Sequence, residues 1–148
     1  MKIHHIGFLV KNIPKAVTEH KALGYAEVGA PCYDEGRDVD IVFMRNGDHL
    51  IELVASRGEN SVVRALLKKN GAGPYHICYE VEDIPSAEAA LNRVGYISLN
   101  TPPLHLLPNI ENAVGRRGPV SAPALGGRGV LFLMGRNAGM IELVQCGA

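Results

Sequence analysis

Two histidines and two glutamates recur at matched places in the chain, and together they have the chemistry of a metal site. His5 stands in HHIGFLV and His76 in YHICYEV, while Glu52 and Glu142 each stand in the tetrapeptide IELV. Imidazole nitrogens and carboxylate oxygens bind divalent transition ions such as zinc, nickel, cobalt, manganese or iron. One such residue alone is usually structural, so it is the matched pairing that indicates a metal site.

The two histidines open two copies of one module, which align when 71 is added to each residue number from Ile6 to Tyr25. Alternating apolar residues predict a strand at the start of each copy. Asn12 and Asp83 are the predicted N-caps of the helices that follow, each with a proline in the first turn and a glycine at the end. Strand, turn and strand then complete a β-α-β-β-β module in both copies.

The alternation also predicts the face that each side chain occupies. In each opening strand the alternate apolar residues face the helix, so the histidine points to the opposite face. The glutamate of each IELV strand lies between two apolar residues and follows the same rule. The sequence therefore predicts an α+β fold in which paired βαβββ modules form a curved mixed sheet around a metal site, with the helices on the outer face.

These elements predict a single domain over residues 1–148. Module one covers about 3–55, a linking helix with an Asn/Ser cap covers about 60–70, and module two covers about 74–146. Module two has 19 more residues between its histidine and glutamate than module one. The excess falls in Asn100–Gly129, where proline and glycine predict a long loop that is either a lid or binding loop, or a surface insertion.

Composition narrows the class of protein. Lysine plus arginine and aspartate plus glutamate both number 15, which counts against a nucleic-acid partner, since such proteins carry a basic excess. No apolar run reaches the roughly 18 residues of a membrane span, and no secretory signal is visible. The cysteines number three and lack a C-x-x-C pair. We expect reduced thiols in a cytoplasmic protein that acts on a small molecule.

The four polar residues, with the segments HHIG, PYHICYEVEDI and GMIELV, resemble the vicinal oxygen chelate superfamily over essentially the whole chain. The resemblance is to bacterial glyoxalase I enzymes and to methylmalonyl-CoA epimerases. It implies one divalent metal ion per site, with nickel, cobalt or zinc ahead of manganese or iron, held by His5, Glu52, His76 and Glu142. It also implies a homodimer.

The main expectation from this resemblance is a glyoxalase I-like enzyme of the lactoylglutathione lyase type. Its substrate is the hemithioacetal of a 2-oxoaldehyde such as methylglyoxal with a thiol. Proton abstraction through an enediolate that the metal stabilises gives a 2-hydroxyacyl thioester. The resemblance assigns Glu142 as the principal base and Glu52 as the opposing acid/base, with Asp40 and Glu35 as weaker candidates.

Other functions stay open at this point. The first alternative is methylmalonyl-CoA epimerase, which shares the abstraction of a proton next to a carbonyl. A further alternative is a non-catalytic antibiotic-binding protein of the same fold. A ring-cleaving dioxygenase is disfavoured, because that chemistry uses three protein ligands on iron. Arg37, Arg116, Arg117 and Arg128 are candidates for binding a carboxylate or phosphate, and the sequence does not rank them.

Overall fold

A computed structural model describes residues 1–99 and 119–147. The strands are β1 (Lys2–Val10), β2 (Ala26–Asp34), β3 (Val39–Asn46), β4 (His49–Ser56), β5 (Gly73–Val81), β6 (Ile97–Leu99), β7 (Val120–Ala122), β8 (Arg128–Gly135) and β9 (Gly139–Gln145). The helices are α1 (Ile13–Ala22), α2 (Arg64–Asn70) and α3 (Ile84–Arg93). The chain divides into an N-terminal module, His5–Tyr75, and a C-terminal module, Met1–His4 with the residues from His76 onward.

The first helix of each module begins at its predicted cap. The side chain of Asn12 accepts a hydrogen bond from the backbone N–H of Lys15 at 2.9 Å, and Asp83 accepts one from Ser86 at 2.9 Å. A proline in the first turn follows each cap, where its missing N–H is not needed. Gly24 follows α1 with a φ of +93°, a conformation that glycine adopts without strain. Both predicted helices are confirmed.

The sheet of the N-terminal module has the strand order β2-β3-β4-β1. Strand β1 runs parallel to β4, and the other neighbours are antiparallel. Helix α1 packs on one face of this sheet through apolar side chains. The buried members of this core are Val10, Ala16, Val17, Val42, Met44, Ile51, Leu53 and Ala55. Because β1 and β4 contribute alternate residues to it, their remaining side chains lie on the opposite face.

The C-terminal module repeats this plan with the order β5-β9-β8-β6, again with a parallel first pair. Helix α3 packs on one face through Val81, Ile84, Ala87, Leu131, Leu133, Ile141 and Leu143. Strands β6 and β7 pair with different stretches of β8. They therefore share the place that the single strand β2 holds in the N-terminal module. The predicted α+β class with paired βαβββ modules is confirmed.

The linking helix starts later than predicted. Helix α2 begins at Arg64, and its cap residue, Val63, makes no side-chain capping bond. The backbone N–H of Ser61 donates to the carbonyl of Gly58, and that of Val62 donates to the carbonyl of Arg37 at 3.1 Å. These bonds hold the preceding residues in a turn. The predicted Asn/Ser cap is therefore wrong, because a bond to a distant loop replaces it.

The predicted loop Asn100–Gly129 is regular at its end. Residues 120–122 form β7, Pro123–Leu125 form a 3₁₀ turn, and β8 begins at Arg128. Residues 100–118 lie outside the described residues. No helix in the described part of the chain is long and apolar enough to cross a membrane.

Candidate metal centre

The N-terminal module holds one buried histidine–glutamate pair. His5 lies on β1 and Glu52 on β4, where Gly7 and Glu52 are partners in the parallel register. The Nε2 atom of His5 lies 3.3 Å from Oε2 of Glu52. The two residues are 0% and 7% exposed. Both side chains project from the face of the sheet that α1 does not cover, as the alternation predicts.

The C-terminal module holds the equivalent pair in the same geometry. His76 lies on β5 and Glu142 on β9, which are parallel neighbours. The Nε2 atom of His76 lies 3.3 Å from Oε2 of Glu142. These residues are 3% and 5% exposed. The repeat seen in the sequence therefore continues to the side-chain atoms of each pair.

These donor sets fit a divalent transition ion. A buried carboxylate is costly unless a cation or several hydrogen bonds compensate its charge. In each module an imidazole nitrogen and a carboxylate oxygen approach one another from neighbouring strands, which is the donor chemistry of zinc, nickel, cobalt, manganese or iron sites. The structure thus shows a possible metal-binding His/Glu pair in each module, and the identity of the ion is not determined.

Two phenylalanines that the sequence analysis missed support the histidines. Phe43 is the antiparallel partner of Glu52, and its ring meets His5 edge-to-face at 5.3 Å and 85°. Phe132 is the partner of Glu142 and meets the ring of His76 at 5.3 Å and 88°. Such contacts restrict the rotation of an imidazole. Both phenylalanines sit at equivalent places in the strand before IELV, but the contact with histidine is visible only once the register of the strands is known.

The weaker acid/base candidates, Asp40 and Glu35, are not members of the two His–Glu pairs. Asp40 is the register partner of Ala55, which belongs to the core under α1. The side chain of Asp40 therefore projects from the face of the sheet opposite to that of Glu52. Its carboxylate pairs with Nε of Arg57 at 3.2 Å. Glu35 is exposed in the turn after β2.

Two further histidines, His20 and His49, are not members of the His–Glu pairs. The Nδ1 atom of His20 lies 2.8 Å from the carbonyl oxygen of Ala16, and its ring contacts Phe8 and Tyr25. His49 is exposed at the start of β4. His105 lies outside the described residues.

The structure separates the arginines that the sequence leaves unranked. Arg128 donates to the carbonyl oxygens of Leu125 and Gln145 and pairs with Glu80 at 3.4 Å. Its Nη2 atom lies 3.0 Å from Nε2 of His4. Each guanidinium nitrogen of Arg128 therefore has a contact within its own module. Residues 116 and 117 lie outside the described residues.

Two carboxylates of the N-terminal module act on a cysteine of β2, Cys32. Burial raises the pKa of the Cys32 thiol, and the carboxylates of Asp34 and Glu52 raise it further. Cys32 is therefore a protonated thiol rather than a nucleophile. The three cysteines all lie in the described part of the chain and form no disulfide there.

A family model described as the glyoxalase/bleomycin resistance protein/dioxygenase superfamily matches residues 2–104. The chain belongs to this superfamily. The match includes His5, Glu52 and His76 and ends before Glu142, so the place of Glu142 in the site depends on the internal repeat.

Two curated relatives carry the name of an epimerase. An ethylmalonyl-CoA/methylmalonyl-CoA epimerase of Cereibacter sphaeroides is 36% identical over 95 residues, which are 64% of this chain and 71% of that protein. The mitochondrial methylmalonyl-CoA epimerase of Bos taurus is 34% identical over 84 residues, 56% of this chain. The matched part spans 48% of the length of that mitochondrial protein.

The same fold occurs in a solved epimerase. A variant of the methylmalonyl-CoA epimerase of Streptomyces coelicolor, in complex with 2-nitronate-propionyl-CoA, superposes with a TM-score of 0.76. The two are 22% identical, and the alignment covers 100% of this chain and 99% of that one. At this identity the likeness shows the fold, in which helices lie outside a curved mixed sheet.

The expectation of a glyoxalase I-like lyase acting on a methylglyoxal hemithioacetal is wrong. The relatives above are isomerases named for CoA esters, and they support the epimerase alternative instead. The reason is chemical. Two imidazoles and two carboxylates can support proton abstraction next to a carbonyl in either reaction. The ligand set therefore did not discriminate between the two substrates.

Proposed function

We propose that the chain is an epimerase of methylmalonyl-CoA or a closely related alkylmalonyl-CoA. The observation that carries this is the 36% identity to an ethylmalonyl-CoA/methylmalonyl-CoA epimerase over 71% of that protein. The buried His–Glu pair of each module supports it, because an epimerase must remove a weakly acidic proton next to a thioester carbonyl.

In this proposal His5, Glu52, His76 and Glu142 together hold one divalent ion, nickel, cobalt or zinc ahead of manganese or iron. Bound there, the ion would supply Lewis-acid stabilisation of the negative charge that develops on the thioester oxygen. The remaining chemistry belongs to the side chains of the chain.

Epimerisation needs acid/base groups on both faces of the α-carbon. A carboxylate on one face takes the proton, and the electron pair of the C–H bond passes into the enolate. A carboxylic acid on the other face then returns a proton to the same carbon, which inverts it. We assign Glu142 as the principal base, oriented by His76 at 3.3 Å. We assign Glu52 as the opposing group, oriented in the same way by His5.

The test follows single epimers of methylmalonyl-CoA in deuterium oxide, by chiral analysis and mass spectrometry. Metal-stripped protein reloaded with nickel, cobalt or zinc is expected to epimerise and deuterate both. Glu142→Gln and Glu52→Gln should each abolish epimerisation. Each variant should still exchange the α-proton of one epimer for deuterium, and the epimer exchanged by one variant should be the opposite of the epimer exchanged by the other. Glu27→Gln, at an exposed carboxylate that pairs with Lys21, is the matched control and should keep the activity of the unmodified chain.

Contrary results would be specific. Full epimerisation by Glu142→Gln contradicts its assignment as the base. If Glu52→Gln is active and Glu35→Gln is not, the opposing role passes to Glu35. Turnover of methylglyoxal with glutathione, but not of the CoA ester, would overturn the proposal as a whole. Binding without any turnover would favour the non-catalytic alternative.

The homodimer and the cytoplasmic location stay predictions, and light scattering checks the first.

A further inference from the structure

The turn between β2 and β3 holds an arginine with an unused donor. Nη1 of Arg37 pairs with Oδ2 of Asp34, and Oδ1 of Asp34 accepts the backbone N–H of Arg37 at 3.1 Å. The Asp34 side chain is 4% exposed and that of Arg37 is 14% exposed. Nη2 of Arg37 is buried and has no hydrogen-bond partner among the described residues. A buried donor in this state is costly unless a water or a ligand meets it.

A second polar group in the same condition lies on the adjoining segment. Ser61 is 8% exposed, and its hydroxyl also has no partner among the described residues. The next residue, Val62, donates its backbone N–H to the carbonyl of Arg37 at 3.1 Å. Two unmet hydrogen-bonding groups therefore stand on chain segments that are bonded to one another.

The strand register places this turn on the face of the module that carries the metal ligands. Asp34 is the antiparallel partner of Val39, so their side chains share a face. Val39 and Phe43 are four residues apart on β3 and share that face too. Phe43 is the residue that contacts His5 and pairs with Glu52. The Asp34–Arg37 pair therefore lies at the end of the same face of the sheet.

The other candidate arginines are already engaged or lie outside the described residues. Every guanidinium nitrogen of Arg128 already has a contact, as described above. Arg57 is exposed, stacks on Tyr33 at 3.9 Å and pairs with Asp40. Of the described arginines named for anion binding in the sequence, Arg37 alone offers a buried donor without an acceptor.

We propose that Arg37, supported by Ser61, binds an oxyanion of the CoA-ester substrate. This rests on the proposed function and names the chemistry by which the chain recognises that ester. The oxyanion is either the carboxylate of the malonyl-type acyl group or a phosphate of CoA, and a guanidinium suits both. Asp34 balances most of the charge of Arg37, so the contribution comes from directed hydrogen bonds rather than from net charge.

Calorimetric titration of the intact metal-loaded chain with malonyl-CoA and propionyl-CoA tests this and separates the two sources. If Arg37 binds the acyl carboxylate, Arg37→Gln should weaken the binding of malonyl-CoA by about tenfold to a hundredfold, because charge-assisted hydrogen bonds are lost. The affinity for propionyl-CoA should then be unchanged. If it binds a phosphate of CoA, both esters should weaken equally. Ser61→Ala should weaken the binding of the same esters by a smaller factor. Arg57→Gln is the matched control and should change neither.

The variant Arg37→Gln leaves Asp34 buried without its partner, so a folding defect must be separated from a binding defect. The double variant Asp34→Asn/Arg37→Gln removes both charges and should show the same loss of affinity, with thermal unfolding close to that of the unmodified chain. Unchanged affinity for both esters in the single and double variants would overturn the inference and leave the proposed function standing. If the unmodified chain binds neither ester, both fail.

Discussion

The edge-to-face contacts of Phe43 with His5 and Phe132 with His76 give a quantitative prediction about metal binding. We expect Phe43→Leu and Phe132→Leu each to weaken the affinity for a divalent ion. Each ring lies 5.3 Å from its histidine, centroid to centroid, and is nearly perpendicular to it. Leucine keeps the apolar side chain and removes the aromatic edge that limits rotation of the imidazole.

An aromatic pair of this geometry contributes about 0.5–1.5 kcal/mol beyond the area that it buries. If that energy is lost only from the metal-bound state, each substitution weakens the affinity for the ion by about two- to twelvefold. The two contacts lie in different modules, so we expect the double variant to lose more affinity than either single variant. These factors are large enough to measure with a competing chelator.

The assay is a competition titration with nickel or zinc and a chromophoric chelator, on protein shown to be folded by circular dichroism. Phe8→Leu is the matched control, because the ring of Phe8 meets His20 at 5.5 Å and 83° and His20 is not a proposed ligand. The control should lose comparable stability and keep its metal affinity. An unchanged affinity in the double variant, or an equal loss in Phe8→Leu, would refute the reasoning.

Two further predictions concern folding. The hydroxyl and backbone N–H of Ser86 hold the pKa of Asp83 below its usual 3.8, so this cap stabilises α3 above pH 3.8 and the stabilisation is lost as pH falls through the lowered pKa. Asp83→Asn should therefore lower the urea midpoint near neutral pH more than at a pH below the lowered pKa, and an equal effect at both would contradict this. Leu143→Ala, at a fully buried position, should cost about 2–5 kcal/mol of unfolding free energy. Leu23→Ala, at a residue that is 68% exposed, should cost under about 0.5 kcal/mol, and similar urea midpoints for the two variants would contradict the packing.

Much of each module could be predicted because its determinants are local. Asn12 and Asp83 cap helices that begin within two residues of them, and the period of two along β1 and β4 sets which side chains reach the core. The same period placed His5 and Glu52 on the other face, and their 3.3 Å approach then follows from parallel pairing of the two strands.

What could not be predicted depends on partners distant in the chain. The start of α2 shifts because the N–H of Val62 bonds to the carbonyl of Arg37, and a local pattern contains no sign of that bond. The three residues Val120–Ala122 stand in a segment of proline and glycine and become a strand by pairing with β8. Phe43 and Phe132 looked like ordinary strand residues until the antiparallel register set them against the histidines.

The wrong expectation about the substrate has a related physical cause. The features that repeat in both modules are a histidine, a glutamate and a phenylalanine in each, and these provide chemistry common to several reactions next to a carbonyl. Discrimination between substrates requires contacts to the parts that do not react, and a pseudo-symmetric set has no reason to fit an asymmetric CoA ester. Such contacts should come from features that one module has and the other lacks. Among the described residues of the C-terminal module, the connection from β7 to β8 (123–127) carries no such aspartate–arginine pair, and for that reason we look to the Asp34–Arg37 turn, rather than to the repeated residues, for what distinguishes the substrate.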